Sequence, residues 1–128
     1  RRTLTTIREM GMKAGVVINP SQPVAVVEPV IRHVDYVVLM TVEPGYPGQQ
    51  FMVDSLPRVS ELAALREKHG LDFLISIDGG VDYPNAIECA RRGAEVYITG
   101  IFTVFRQPDG IVEACRRFQR TLEAAVGL

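Results

Sequence analysis

The sequence predicts an α/β fold in which short parallel strands alternate with helices. Four short apolar runs begin near residues 13, 36, 72 and 95, and each is followed by a segment with helical spacing of apolar residues. Strands joined by helical crossovers form a parallel sheet, and right-handed crossovers place every strand C-terminus on one rim. We therefore interpret residues 1–128 as a single domain of four βα units preceded by a partial helix.

The elements follow one another in a fixed order along the chain. A partial helix is predicted over residues 3–10, and because no strand precedes it, we expect the chain to begin within a larger architecture. The predicted strands are 13–19, 36–40, 72–78 and 95–100, and the predicted helices are 21–33, 54–69, 83–92 and 111–125. Pro29 should shorten or kink the first of these helices. Four such units form either a small open sheet or half of an eight-stranded barrel.

Composition restricts the partners of the chain. Its 14 Lys and Arg residues balance 15 Asp and Glu residues, which gives no electrostatic reason to expect nucleic acid or an anionic membrane. No apolar stretch approaches the roughly 20 residues of a membrane helix. Cys89 and Cys115 lie far apart in helical segments, so we expect two small buried residues and a reducing, cytoplasmic compartment.

The segment 41–51 is the most informative stretch of the sequence. Pro44, Gly45, Pro47 and Gly48 fall within five residues, so the connection after the second strand is a loop and not a tight turn. Parallel α/β proteins bind their ligands at this end of their strands. We interpret the segment as a lid or as a loop that contacts phosphate.

Two further predicted strands also end in glycine. Backbone N–H groups at glycine can approach an anion closely, so agreement on one rim favours phosphate binding, although each loop alone is more typical of a simple turn. Asp78 ends a strand directly before a Gly-Gly pair, where it could be a metal ligand, a general acid or base, or merely a turn or helix cap. His33 and His69 are expected at helix ends, facing solvent or capping. The glycines of the two strand ends are Gly79, Gly80 and Gly100.

Three motifs resemble those of a known family. The run from Met40 to Phe51 closely resembles the signature loop of the ribulose-phosphate 3-epimerases. The run from Ile77 to Val81 is similar to their second signature, and Gly93-Ala94 before a strand that ends at Gly100 is similar to a third landmark. That family has a (β/α)₈ TIM-barrel fold, and the resemblance places this chain in its C-terminal half, strands five to eight.

The resemblance implies a function and a set of site residues. Members of the family invert carbon 3 of pentulose 5-phosphates, or in a neighbouring branch of hexulose 6-phosphates such as allulose 6-phosphate. Two aspartates act as acid and base on opposite faces of a cis-enediolate, beside a divalent metal such as Zn, Fe, Mn or Co. By this resemblance Asp78 is one aspartate and a metal ligand. Met40 lines the pocket; the lid contains Gly45, Tyr46, Pro47 and Gly48, and the phosphate cradle contains Gly79, Gly80, Gly100 and Ile101.

Parts of the family pattern are absent from this sequence. The second aspartate and the metal-binding histidines belong to the first half of the barrel, so the metal site here is incomplete and the isolated chain should be inactive. Ile101 stands where the family usually has a small hydroxyl residue. The alternatives are a non-catalytic half-barrel that binds a phosphorylated ligand or a partner chain, and another phosphate-binding barrel. Two open sheet edges, along residues 13–19 and 95–100, predict homo-oligomers.

Overall fold

The computed structural model describes all 128 residues and contains one parallel sheet. Its four strands are β1 (Gly15–Ile18), β2 (Tyr36–Met40), β3 (Leu74–Asp78) and β4 (Val96–Ile98), arranged in the order of the chain. Every neighbouring pair is parallel, and Met40, Asp78 and Ile98 lie side by side where the strands end. The α/β class predicted from the sequence is thereby confirmed.

Helices connect the strands as the apolar spacing predicts. They are α1 (Arg2–Glu9), α2 (Ser55–Lys68), α3 (Tyr83–Arg91) and α4 (Ile111–Ala125). The connection between β1 and β2 differs, because residues Val24–His33 form a 3₁₀ helix and not an α-helix. Pro29 lies inside this segment, and since proline lacks an N–H and clashes with the preceding turn, it prevents a regular α-helix. A π-helical turn over Ile101–Phe105, which the sequence did not predict, follows β4.

All the helices pack on one face of the sheet. Side chains alternate between the two faces of a strand, and the row formed by Ile18, Leu39, Ile77 and Tyr97 belongs to the helical face. The first three are completely buried, and Tyr97 packs edge-to-face on Phe118 of α4. The aliphatic side chains belong to a cluster of 20 buried apolar residues, whose removal from water stabilises the fold.

The opposite face of the sheet has no helix over it. Val17 of β1 is 58% exposed, Leu74 of β3 is 44% exposed and Ile98 of β4 is 49% exposed, although all three are large aliphatic residues. Parallel sheets usually have both faces covered. The sheet therefore has one complete hydrophobic face and a second face, which we call the open face. On the open face Val38 and Ser76 are buried at the centre, and the three aliphatic residues named above are exposed.

Two carboxylates fix the starts of the strands on the side opposite the strand C-termini. The Asp35 carboxylate accepts a hydrogen bond from the Ala14 N–H at 2.8 Å and pairs with Arg8. The Glu95 carboxylate accepts one from the Ile75 N–H at 2.8 Å and pairs with Arg66. Each carboxylate thus joins the start of its own strand to the neighbouring strand. The Ala14 N–H, with Arg8 adding to its effect, lowers the pKa of Asp35.

Two predicted side-chain environments are wrong in part. Cys89 is buried as expected, but Cys115 is exposed. Ala114 and Phe118 carry the buried face of α4, and Cys115 lies one residue around the helix, on the wall of an open groove beside β4. His69 does not simply face solvent or cap a helix, because its Nε2 lies 2.8 Å from the Glu28 carboxylate.

No helix in the chain has both the length and the apolar character needed to cross a membrane.

Candidate active site at the rim of the sheet

The loops after β2, β3 and β4 enclose one cleft of about 490 Å³ at the C-terminal rim of the sheet. Parallel strands end on the same side of a sheet, so residues distant in sequence meet there. Every residue that the sequence assigned to the site lines this cleft: Met40, Gly45, Tyr46, Pro47, Gly48, Asp78, Gly79, Gly80, Gly100 and Ile101. The structure brings the whole predicted set together, while the role of each residue stays a prediction.

Asp78 is the carboxylate at the base of this cleft. It is the last residue of β3, and its side chain forms neither a hydrogen bond nor an ion pair within the chain. The helix cap that sequence reasoning allowed at Asp78 is instead provided by Asp82, whose carboxylate accepts a hydrogen bond from the Asn85 N–H at 2.9 Å. Partial burial raises the pKa of Asp78. This carboxyl group therefore makes no structural hydrogen bond or ion pair and is available to a ligand.

The two residues after Asp78 must be glycine for reasons of space and backbone conformation. Gly79 has a φ of 125° and Gly80 a φ of 60°, which side-chain-bearing residues rarely adopt. A Cβ on Gly80 would lie 2.4 Å from the Phe51 N atom, and one on Gly79 would lie 2.6 Å from a Val42 methyl group. The turn after β3 thus packs directly against both ends of the loop after β2.

Gln49 closes the loop after β2 from within. Its side-chain amide donates hydrogen bonds to the Glu43 carbonyl at 2.6 Å and to the Tyr46 carbonyl at 3.1 Å. These bonds hold residues 43–49 as a compact surface loop with its ends close together. Tyr46 is 69% exposed at the edge of the cleft, so the loop presents an aromatic ring beside the carboxylate without burying it.

The cleft offers backbone donors and no cationic side chain. The N–H groups of Gly79, Gly80 and Gly100 donate to no backbone carbonyl in the chain. The only charged residues that line the cleft are Glu43 and Asp78. A phosphate group here would consequently be held by amide N–H groups, as in other glycine-rich anion sites, and not by lysine or arginine.

The π-helical turn after β4 lines the same cleft, beside the turn after β3. The Gly100 carbonyl accepts hydrogen bonds from the N–H groups of Val104 and Phe105, at 3.0 and 3.1 Å. The first amides of a helical turn have no partner inside that turn. Ile101 therefore reaches the cleft at the start of the turn, where an amide can act although the side chain carries no hydroxyl.

Comparison with known proteins places these features in a family. Residues 1–105 match the model of the ribulose-phosphate 3 epimerase family. The chain belongs to this family. It is 42% identical over 109 residues to the ribulose-phosphate 3-epimerase of Bacillus subtilis, which covers 84% of this chain and 50% of the relative. The ribulose-phosphate 3-epimerase of Aquifex aeolicus is 42% identical over 99 residues, which is 77% of this chain and 45% of the relative.

The family membership explains the shape of the molecule. The Escherichia coli ribulose-phosphate 3-epimerase is 38% identical over 108 residues, or 84% of this chain and 48% of the relative. The chain thus spans about half the length of the curated relatives that it matches. Four parallel strands with alternating helices form an α/β unit consistent with half of the TIM barrel of the epimerase family.

The carboxylate of Asp78 fits one position of a divalent metal site. It is partly desolvated, no donor forms a hydrogen bond to it and no cationic side chain lines the cleft, which is the situation that a bound cation relieves. The structure holds no group of three or more His, Cys, Asp or Glu side chains placed to bind a metal ion. Residues of this chain would therefore supply one ligand of such a site and not the full set.

Sequence reasoning missed the residues that hold the cleft together. Thr41, Gln49 and Asp82 make the hydrogen bonds that shape the loops, but a threonine, a glutamine and an aspartate in loops have many common uses. Asp82 had the clearest signal, because Asp followed after one residue by proline is typical of a helix start. Thr41 and Gln49 bond to carbonyls remote in the sequence or inside the loop, which no local pattern reveals.

Proposed function

We propose that this chain is the C-terminal portion of a sugar-phosphate 3-epimerase and that ribulose 5-phosphate is its substrate. One observation supports the proposal above all. In a chain of this family, the unpaired Asp78 carboxylate and the free N–H groups of Gly79, Gly80 and Gly100 lie on one cleft. The substrate follows from the name of the relatives, ribulose-phosphate 3-epimerase.

Asp78 would transfer the proton at carbon 3. Burial raises the pKa of its carboxyl group, which strengthens the carboxylate as a base toward a proton next to a carbonyl. A divalent cation, when bound, supplies a positive charge that neutralises the developing oxyanion. Asp78 is the residue of this chain that would hold the cation, and Zn, Fe, Mn and Co are the candidates.

The glycine amides would bind the phosphate group. Gly79 and Gly80 follow Asp78 directly, so a phosphate held there fixes the sugar relative to the carboxylate. Gly100 and Ile101 provide donors from the neighbouring loop. Gly45, Tyr46, Pro47 and Gly48 would form a lid over the sugar, and Met40 would form the apolar floor beside it. Exclusion of water by this loop strengthens each electrostatic contact with the substrate.

Inversion at carbon 3 needs two proton-transfer groups, one on each face of the intermediate. Among the residues that line the cleft, Asp78 is the only carboxylate apart from the exposed Glu43. A single carboxylate returns the proton to the face from which it came. The 128-residue chain alone should therefore give no net epimerisation, and a second carboxylate from outside the chain would be needed.

A chimera tests the proposal directly. We would join residues 1–128 to the N-terminal half of the Bacillus subtilis relative, in place of the half that they match. With added Fe²⁺, Zn²⁺ or Mn²⁺, the chimera should epimerise ribulose 5-phosphate, and Asp78→Asn should lower the turnover by about 10³-fold or more. Allulose 6-phosphate in the same assay tests the hexulose branch. A chimera that is folded by circular dichroism and inactive on both sugars would rule out the epimerase.

A non-catalytic half-barrel is the competing function. It would bind a phosphorylated ligand or a partner chain without turnover, since the second aspartate and the metal histidines are absent. The relatives that the chain matches are named as epimerases, and no observation favours the non-catalytic function over them. An inactive chimera that still binds sugar phosphate in calorimetry would support it.

A further inference from the structure

Thr41, the first residue after β2, joins three segments of the chain. Its side chain is completely buried although it is polar. Its N–H donates to the Asp78 carbonyl at 2.8 Å, and its hydroxyl donates to the Gly79 carbonyl at 2.5 Å. Its own carbonyl accepts a hydrogen bond from the Met52 N–H at 2.8 Å. One residue thus holds the turn after β3 and the returning end of the loop 41–51.

The turn that carries Asp78 depends on such external support. The Asp78 side chain forms no hydrogen bond, so only the backbone fixes its direction. Gly79 and Gly80 follow at positive φ and have no side chains that could pack and fix the turn. The bond from the Thr41 N–H continues the parallel ladder between β2 and β3, and the bond from its hydroxyl is an addition that threonine or serine alone among small residues could make.

We propose that Thr41 is a positioning residue: its hydroxyl fixes the Asp78–Gly79 turn and couples it to the loop 41–51, so that both walls of the cleft move together. Thr41 does not line the cleft and would touch no substrate. The functional consequence rests on the proposed role of Asp78. A shift of the loop on binding would then change the direction of the carboxylate, with the Thr41 hydroxyl adding a side-chain link to the backbone contacts between the two segments.

The chain provides a matched control in Thr103. Both threonines are completely buried, but the Thr103 hydroxyl has no hydrogen-bond partner. Replacement of threonine by valine keeps the shape and removes the hydroxyl. At Thr103 it removes an unpaired polar group, whereas at Thr41 it leaves the Gly79 carbonyl without its donor. The two substitutions therefore separate the effect of the hydrogen bond from the effect of the hydroxyl group itself.

Amide hydrogen exchange on the 128-residue chain measures the coupling. We would compare wild type, Thr41→Val, Thr41→Ser and Thr103→Val at three hydrogen-bonded reporters. The N–H of residue 41, which donates to the Asp78 carbonyl, reports on the turn after β3, and the Met52 N–H, which donates to the Thr41 carbonyl, reports on the loop after β2. The amides of α4 report on global unfolding. Thr41→Val should accelerate exchange at both walls by about five- to tenfold beyond the change in α4. Thr41→Ser should restore wild-type exchange, and Thr103→Val should leave both walls unchanged.

Two results would overturn the proposal. Equal acceleration at the walls and in α4 would show that Thr41 contributes only to global stability. Faster exchange at one wall with the other unchanged would show that the hydroxyl does not couple them. The measurement needs no turnover, so its outcome is independent of whether the chimera is active.

Discussion

Asp78 illustrates how an unpaired and partly buried carboxylate costs stability. Its carboxylate is partly buried, and no donor or cation compensates it within the chain. Structural carboxylates in the same protein behave differently: Asp35 and Asp82 both accept hydrogen bonds from backbone N–H groups. An ionisable group kept without a partner at a rim where three loops meet is typical of a site and not of a scaffold.

Asp78→Asn should separate stability from function. The raised pKa of Asp78 means that the ionised form destabilises the folded state, so wild-type stability falls as the pH rises through that pKa. The variant should therefore be slightly more stable than wild type at pH 7 and equal to it near pH 3, roughly below the pKa of an unfolded aspartate. Urea unfolding at both pH values measures this. In the chimera the same substitution should lower turnover by about 10³-fold or more.

Gly80→Ala should distort the site and lower the free energy of unfolding of the chain. The new Cβ would combine a positive φ with a 2.4 Å approach to the Phe51 N atom, so we expect a loss of about 3 kcal/mol. Gly48 is the control, because it also has a positive φ but nothing lies within 4 Å of its added Cβ. Gly48→Ala should cost about 1 kcal/mol. Equal losses in urea unfolding would show that the packing of the turn against the loop is unimportant.

At the scale of elements, the residue Asp35 joins the starts of three strands, β1, β2 and β3. Its carbonyl accepts from the Leu74 N–H at 2.9 Å, and its N–H donates to the Ala14 carbonyl at 2.7 Å. Its carboxylate adds the bond from the Ala14 N–H. The rim that carries the cleft is at the other end of the same strands, so this cluster fixes the register without entering the site.

Asp35→Asn should weaken the protein and flatten its acid response. The pKa of Asp35 is lowered by the Ala14 N–H and by Arg8, so its contribution to stability is present above the pKa of an unfolded aspartate, about 3.9, and is lost as the pH falls through the folded value. The variant should show a lower urea midpoint at pH 7 and a smaller loss between pH 5 and pH 3. Asp72→Asn, which removes an exposed aspartate, is the control. An unchanged pH response in Asp35→Asn would contradict this explanation.

Much of the element pattern could be predicted from the sequence because burial imposes periodicity. β2 and α4 lie at their predicted bounds, since an uninterrupted apolar run and a long helical repeat leave few alternatives. The 3₁₀ helix around Pro29 and the π-helical turn after Gly100 could not be predicted. Their backbone hydrogen bonds span one residue fewer and one residue more than those of an α-helix, and the spacing of apolar residues does not resolve that difference. The motifs identified residues that the structure gathers at one cleft, while the hydrogen bonds of Thr41 and Gln49 could not be predicted from them.

At the scale of the whole molecule, the open face is the dominant feature. Val17, Leu74 and Ile98 expose aliphatic surface there, and β1 and β4 each leave one edge of the sheet unpaired. A groove of about 520 Å³ runs along α4 beside the free edge of β4. The chain matches only about half of each relative, and half of a closed barrel leaves such a face uncovered. The cytoplasmic location stays a prediction.

The isolated chain should associate with itself through the open face. Val17→Lys combined with Ile98→Lys places charges on a surface that is already half exposed, so the fold should persist while association is lost. Ala64→Lys, on the exposed side of α2, is the control and should associate like wild type. Analytical ultracentrifugation over a range of concentrations measures the mass of each. A wild-type monomer at every concentration would contradict homo-oligomers.

The central claim is that Asp78 and the glycine amides form one site for a phosphorylated ketose, and amide NMR of the chain tests it most directly. Titration with ribulose 5-phosphate should shift the signals of Gly79, Gly80, Gly100 and Ile101 in a saturable manner, and unphosphorylated ribulose should shift them far less. Asp78→Asn should retain the response to phosphate at these amides. Signals that stay unchanged in the loops after β3 and β4, or that respond equally to both sugars, would contradict the site.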